Sequence, residues 1–232
     1  MTEITERQLH ILTHIVSSYI KTAEPVSSQY VEQRSRISVS PATIRNEMRE
    51  LADQGLIFQP HTSAGRVPTE RGYRMFVDHV LELEQKRASP LMANTAESRD
   101  TSFSEEGVQL FRSLAKFLSR ETSNLVVLYT TEHRLFWQEG WGEVLREPEF
   151  RNQEYVADLI RCVKDMEECV ENVLQDGEFS VYIGQENPFS SSHRLSVVMG
   201  TSLRYGREGL VAIVGPTRMA YTKNIRLIRS LL

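Results

Sequence analysis

Residues 37–74 read ISVSPATIRNEMRELADQGLIFQPHTSAGRVPTERGYR, and the fold of the chain turns on this stretch. Its first half has the markings of a short helix. Ser40 is a suitable N-cap, and Pro41 fits the first helical position, where a missing N–H costs nothing. Ile44, Met48 and Leu51 recur at i, i+4 and i+7 and make one apolar face. At about 100° per residue, Ala42, Arg45, Asn46 and Arg49 fall around the opposite side. Gly55 stops the helix. An apolar strand follows (Leu56, Ile57, Phe58). A polar turn, His61-Thr62-Ser63-Ala64-Gly65-Arg66, then leads into a return strand at Val67.

Helix, stop, strand, basic tip and return strand together describe a winged helix-turn-helix. A helix that turns Arg and Asn outward suits the major groove. Arg pairs bidentately with guanine, Asn with adenine, and Ala42 meets a thymine methyl. Arg45, Asn46 and Arg49 are the expected base readers, with Ala42 and Thr43 beside them. Ser40, at an exposed helix N-terminus, suits a backbone phosphate. Thr62, Ser63 and Arg66 on the wing are expected at phosphate or the adjacent minor groove. His61 serves either a nucleic-acid contact or a structural hydrogen bond. A charged helix face is ordinarily just a solvated one. Here the wing sequence and the clean opposition of apolar and polar faces favour DNA.

Outward from this stretch, Thr5-Glu6-Arg7-Gln8 is a capping-box pattern that opens a helix to about Ile20. Leu9, Leu12, Val16, Tyr19 and Ile20 are expected on its buried side, packed under the reading helix. His10 and His14, four apart, read as a solvated pair rather than a metal site. Ser27 or Ser28 caps a second helix that runs to about Arg34, and Ser38 to Ser40 turn the chain into the reading helix. Thr69 caps a further helix to about Lys86, with Tyr73, Phe76, Val77, Val80, Leu81 and Leu83 apolar.

Residues 87–104 lose all periodicity and read as a linker between a domain at 1–86 and one at 105–232. The second domain starts with a helix near 105–119, a strand at 125–129 and another at 134–138. Gly140-Trp141-Gly142 reads as a loop. A long helix at about 152–175 carries Tyr155, Leu159, Val163, Met166, Val170 and Val173, with Cys162 and Cys169 as packing residues on the edge of that stripe. Strands follow at 179–183, 195–201 and 209–214. A closing helix is expected at about 218–231, capped by Thr217 after a strand-to-helix turn. The expected class is α+β, an antiparallel sheet flanked by helices behind the winged unit.

Composition sets bounds. The chain has 27 Lys+Arg against 31 Asp+Glu, a net charge of -4, which does not advertise nucleic acid. Residues 34–74, however, hold seven arginines against four acids, so the positive footprint is local. No apolar run reaches the roughly 20 residues a membrane span requires, and the start lacks the order of a signal peptide. The expectation is a cytoplasmic protein with no membrane association. Two cysteines are too few for a disulfide framework. No catalytic constellation, metal spacing or phosphate-binding glycine loop is present, so neither an enzyme nor a cofactor is expected.

The wording TAEPV (22–26), VSPATIRNEM (39–48), GLI-x-QPHTSAGRVPT (55–69) and GYR-x-x-VD (72–78) resembles the heat-inducible transcription repressor family, HrcA. IGQEN (183–187) and GPTRMAY (215–221) resemble the same family's carboxy-terminal signature. The resemblance implies a GAF-like second domain. It also implies a dimer on an inverted-repeat operator upstream of chaperone genes, release of DNA on heat stress, and help from the chaperonin in reaching the active form. Asn124–Tyr129 resembles the strand that opens the family's second domain, yet residues 135–150 resemble a region much nearer its carboxy end. The family's inserted dimerisation segment is therefore expected to be absent. Two other readings stay open: a regulator whose second domain senses a small molecule, and a protein-interaction module that never touches DNA.

Overall fold

The computed structural model describes residues 4–35, 39–87, 105–174, 179–203 and 207–232. The chain divides into two units, Met1–Leu83 and Glu84–Leu232. The interdomain linker expected over 87–104 lies outside the described residues, except for Arg87.

In the first unit, α1 (Glu6–Thr22) starts at the capping box: Gln8 N donates to Thr5 Oγ1 at 3.2 Å and Thr5 N donates to Gln8 Oε1 at 2.9 Å. Its buried residues are Gln8, Ile11, Leu12, Ile15 and Val16. This corrects the expected face, because Leu9, Tyr19 and Ile20 are only half-buried. The cause is that α1 packs against more than one neighbour, chiefly α3 (Pro41–Asp53) and the strand β2 (Val67–Pro68). His10 is exposed, but His14 is half-buried, and burial together with the neighbouring His10 charge lowers its pKa.

The short helix α2 (Ser28–Arg34) is capped by Ser27, whose Oγ accepts from Tyr30 N at 3.1 Å. Helix α3 has Ser40 as its cap and Pro41 in the first turn, and it buries Ile44, Met48 and Leu51. It ends before Gly55, which takes a φ of 71° open to glycine at little cost. Strand β1 (Ile57–Phe58) then pairs antiparallel with β2, with Ile57 opposite Pro68. Thr69 ties the return strand to the next helix. Its Oγ1 donates to Gly55 O at 2.7 Å and accepts from Gly72 N at 3.0 Å, which opens α4 (Glu70–Arg87). In α4, Tyr73, Phe76, Val77 and Val80 are buried, whereas Leu81 is half-buried and Leu83 is 41% exposed, so its apolar face is narrower than the sequence suggests.

The second unit is a five-stranded sheet in the order β4-β3-β7-β6-β5, antiparallel throughout. The strands are β3 (Leu125–Thr130), β4 (Leu135–Glu139), β5 (Phe179–Ile183), β6 (Leu195–Leu203) and β7 (Arg207–Pro216). Side chains alternate across it. Leu125, Val127, Tyr129, Val197, Ala212 and Val214 face α7 (Gln153–Val173), with its Leu159, Val163, Met166 and Val170. On the other face lie α5 (Glu105–Thr122) and α8 (Tyr221–Arg229). Strand β3 is buried along its whole length because helices cover both faces. Strands β6 and β7 outrun their apolar stretches, since pairing continues to Leu203 opposite Arg207.

Three local expectations are corrected. Gly140-Trp141-Gly142 is not a loop: a short helix, α6 (Trp141–Val144), starts there from Gly140 at a φ of 102°. The closing helix begins at Tyr221, and neither Thr217 nor any other side chain caps it. Arg218 is held out of the helix by two carboxylates, donating at 2.6 Å to Glu149 Oε1 through Nε and at 2.6 Å to Glu147 Oε2 through Nη2. Burial works against its charge, but Glu149 and Glu147 outweigh that and keep it firmly protonated. Cys162 is fully buried in the core as a packing residue, but Cys169 is exposed. Among the described residues, no helix is long and apolar enough to cross a membrane.

Candidate nucleic-acid interface

The outward side of α3 is set by what holds its inward side. Glu47 is buried and ion-paired with Arg7 of α1, and Gln8 Nε2 donates to Glu50 Oε2 at 2.7 Å. Two of the helix's acids are thereby engaged by α1. The remaining face carries Ala42, Arg45, Asn46 and Arg49, all exposed. Thr43 is half-buried beside the cap, where its N–H donates to Ser40 Oγ at 3.2 Å and the two hydroxyls lie 2.9 Å apart.

The tip between β1 and β2 is braced from inside and from behind. Gln59 Nε2 donates to Thr62 O at 2.8 Å and to Ala64 O at 3.0 Å, and Ala64 N donates to His61 O at 2.8 Å. Behind it, the segment before α2 pairs with the ribbon. Val26 N donates to Arg66 O at 2.9 Å and Arg66 N to Val26 O at 2.8 Å. This approach demands glycine next door, because a Cβ on Gly65 would lie 2.4 Å from the Val26 carbonyl carbon.

A hollow of about 300 Å³ lies where these parts meet. Of the sequence-predicted residues it gathers Arg45, Arg49, Ser63 and Arg66. Arg45 Nε donates to Ser28 Oγ at 3.3 Å, and both residues line the hollow. Arg49 and Arg66 make no side-chain hydrogen bond or ion pair with another described residue. Three cations around one depression repel one another and attract an anion. His61 and Thr62 stand exposed at the tip, outside the hollow, as do Ala42 and Asn46 on α3. Ser40 and Thr43 sit at the start of α3, also outside it. Sequence reasoning missed Ser27, Ser28 and Gln59, which line the same hollow. Ser27 was legible only as a cap, and nothing in the local pattern places Ser28 opposite Arg45, seventeen residues later.

The second unit has its own depression, about 350 Å³, among Tyr129, Arg134, Phe136, Glu167, Glu168 and Glu171. No pocket was expected in this unit, although Glu167, Glu168, Glu171 and Asn172 follow one another closely in the sequence. Polar groups of the depression close on one another: Arg134 Nε donates to Glu171 Oε1 at 3.0 Å, and Tyr129 OH donates to the same carboxylate at 3.4 Å.

Comparison with known proteins gives this geometry a context. The heat-inducible transcription repressor HrcA of Halalkalibacterium halodurans is 27% identical over 328 aligned positions, covering 98% of this chain and 95% of that one. That stretch is longer than this chain's 232 residues, so the relative carries residues with no counterpart here. The namesake protein of Alkaliphilus metalliredigens reaches 53% identity over 83 residues, 36% of this chain and 24% of that one. A crystal structure of a hypothetical protein shares the fold with a TM-score of 0.79 at 22% identity, covering 99% of this chain and 96% of its own. Residues 77–225 match the family model for the HrcA protein C terminal domain, a match that takes in most of the sheet unit, and the chain belongs to the HrcA family.

Proposed function

We propose that this chain is a transcriptional repressor of heat-shock genes that binds an inverted-repeat operator as a homodimer. The observation that carries the reading is the cluster of Arg45, Arg49 and Arg66 around one hollow, while the acids Glu47 and Glu50 of the same helix are turned to α1. In this reading residues 1–86 are a winged helix-turn-helix domain, with α3 in the major groove and the β1–β2 tip as the wing. Arg45, Asn46 and Arg49 read base edges, with Ala42 and Thr43 against them. Ser40, His61, Thr62, Ser63 and Arg66 serve phosphate or the minor groove, and Ser27 and Ser28 add hydroxyls beside Arg45. One helix sees only a few base pairs. Useful affinity therefore needs two copies about 34–36 Å apart on successive major grooves.

The sheet unit, residues 105–232, is in this reading a GAF-like regulatory domain from which the family's inserted dimerisation segment is missing. The extra length of the aligned relative supports that. Heat releases the repressor by shifting a marginal folding or assembly equilibrium, and the chaperonin restores the active form. A change of 1–2 kcal/mol alters such an occupancy several-fold.

The test is operator binding by gel shift or anisotropy, with a scrambled duplex as control. Arg49→Ala should weaken operator binding by about 1–3 kcal/mol and scrambled DNA far less. Arg66→Ala should weaken both alike and lower the salt slope by about one. Equal losses on both duplexes for Arg49→Ala would remove it from the base readers. No salt-dependent binding at all would remove the function.

A further inference from the structure

Gln59 follows β1 and stands exposed at the base of the tip. Its side-chain nitrogen donates to two carbonyls at once, Thr62 O at 2.8 Å and Ala64 O at 3.0 Å. The amide sits only this way round, since its own oxygen would repel both carbonyls. Each of those carbonyls belongs to a trans peptide, in which C=O and N–H point in opposite directions. Drawing Thr62 O and Ala64 O toward Gln59 therefore turns the N–H groups of Ser63 and Gly65 away from it. Neither of these N–H groups makes a hydrogen bond with another described residue. The Ala64 N–H between them is occupied, because it closes a turn onto His61 O at 2.8 Å. Ser63 and Gly65 both line the hollow, and so does Arg66. We propose that Gln59 is a positioning residue for DNA binding: it presents the N–H groups of Ser63 and Gly65, with the Arg66 guanidinium beside them, to one phosphodiester of the duplex backbone. This rests on the repressor reading above and identifies the donors of the wing.

The chemistry of the three donors agrees. Backbone N–H groups turned to one side of a tight turn form a concavity of partial positive charge that receives an anion. Arg66, which no carboxylate among the described residues engages, supplies the full charge. A phosphodiester offers acceptors only, whereas a base edge in the major groove presents a mixed pattern. A tip that carries donors alone therefore suits the backbone and reads no sequence. The donors are also fixed before DNA arrives, so little ordering remains to be lost on binding. Without the amide of Gln59, Thr62 O and Ala64 O turn to water, their peptide planes rotate freely, and the N–H groups no longer converge.

The experiment compares the full chain with Gln59→Met, which keeps the length of the side chain and removes its donors. Far-UV circular dichroism and the urea midpoint should change little, because the side chain is exposed. Binding to the operator and to the scrambled duplex should weaken alike, by about tenfold, leaving the ratio between them unchanged. The second readout is a scan of the operator with single neutral methylphosphonate linkages. One linkage in each half-site should weaken binding of the parent chain by about tenfold, and binding of Gln59→Met by less than about threefold, while other sensitive linkages keep their full effect. Inorganic phosphate at matched ionic strength should not displace the duplex. Unchanged affinity in Gln59→Met overturns the proposal. So does weaker binding with an unaltered linkage pattern, which would make Gln59 a general support of the tip. Displacement by inorganic phosphate also overturns it and would mark the tip as a site for the free ion. A parent chain that binds neither duplex sinks the repressor reading and this inference with it, whereas a failure confined to Gln59→Met leaves that reading standing.

Discussion

Arg7 of α1 and Glu47 of α3 form an ion pair across forty residues of sequence, Arg7 Nε donating to Glu47 Oε1 at 2.7 Å. Glu47 is nearly buried, while Arg7 is about half exposed. The pair, with Gln8–Glu50 beside it, fixes the rotation of α3 about its own axis and so decides which residues face outward.

Arg7→Ala should therefore act on both stability and recognition. It leaves a buried carboxylate without its partner, a change that costs several kcal/mol at a fully buried site. Solvent at the arginine reduces that to about 1–2 kcal/mol here. A fall in the urea midpoint with an unchanged m-value is the expected readout, accompanied by weaker operator binding. Unaltered stability would mean the pair contributes nothing.

Gly65→Ala tests the junction between the ribbon and the segment before α2. The new methyl would overlap the Val26 backbone, and both Val26–Arg66 hydrogen bonds lie at that point. Backbone cannot give way as a side chain can. Overpacking of about 1–3 kcal/mol is expected, with helix content retained and DNA affinity reduced through a displaced tip. Full affinity in Gly65→Ala would show that the position of the tip is unimportant.

Asp158 of α7 gives the second unit an acid-sensitive link. It is buried, which resists its charge. Ser192 Oγ donates to it at 2.5 Å and Arg194 Nη1 at 2.7 Å, and these outweigh burial and hold its carboxyl below the ordinary aspartate value. The unfolded chain therefore takes up the proton first as pH falls. The contribution is whole above the ordinary carboxylate range, about pH 4–5, and is lost as pH drops through the depressed folded value. Asp158→Asn should lower stability at pH 7 and flatten the acid limb of a denaturation series run from pH 7 to 3. An equally steep acid limb in the variant would assign it to other groups.

The two thiols should separate cleanly. Burial pushes Cys162 up to about 11, although Asn187 Nδ2, 3.6 Å away, pulls the other way. Cys169 is exposed. A thiol reagent at neutral pH should label one cysteine in the native chain and two after denaturation, and Cys169→Ser should abolish the native reaction. Fast labelling of both would contradict the packing of Cys162.

Short-range physics was legible in the residues themselves. The Thr5–Gln8 box, Ser40 with Pro41, Gly55 and the alternating strands are decided within a few residues, so helices α1 to α4 and the five strands of the sheet could be read before any coordinates. The outward set Ala42, Arg45, Asn46 and Arg49 was legible for the same reason, since helical period alone separates it from Ile44, Met48 and Leu51. What failed was anything set by a distant partner. The α1 core rotated toward Ile11 and Ile15 because β2 presses from a second side. The last helix lost its first turn because Glu147 and Glu149 hold Arg218 about seventy residues away in sequence. Ser28 joined Arg45, and Val26 joined Arg66, through contacts that no local pattern records. Caps, periods and turns follow from the chain's own geometry, whereas ion pairs, close backbone approaches and the hollow they shape exist only once remote segments share the same space.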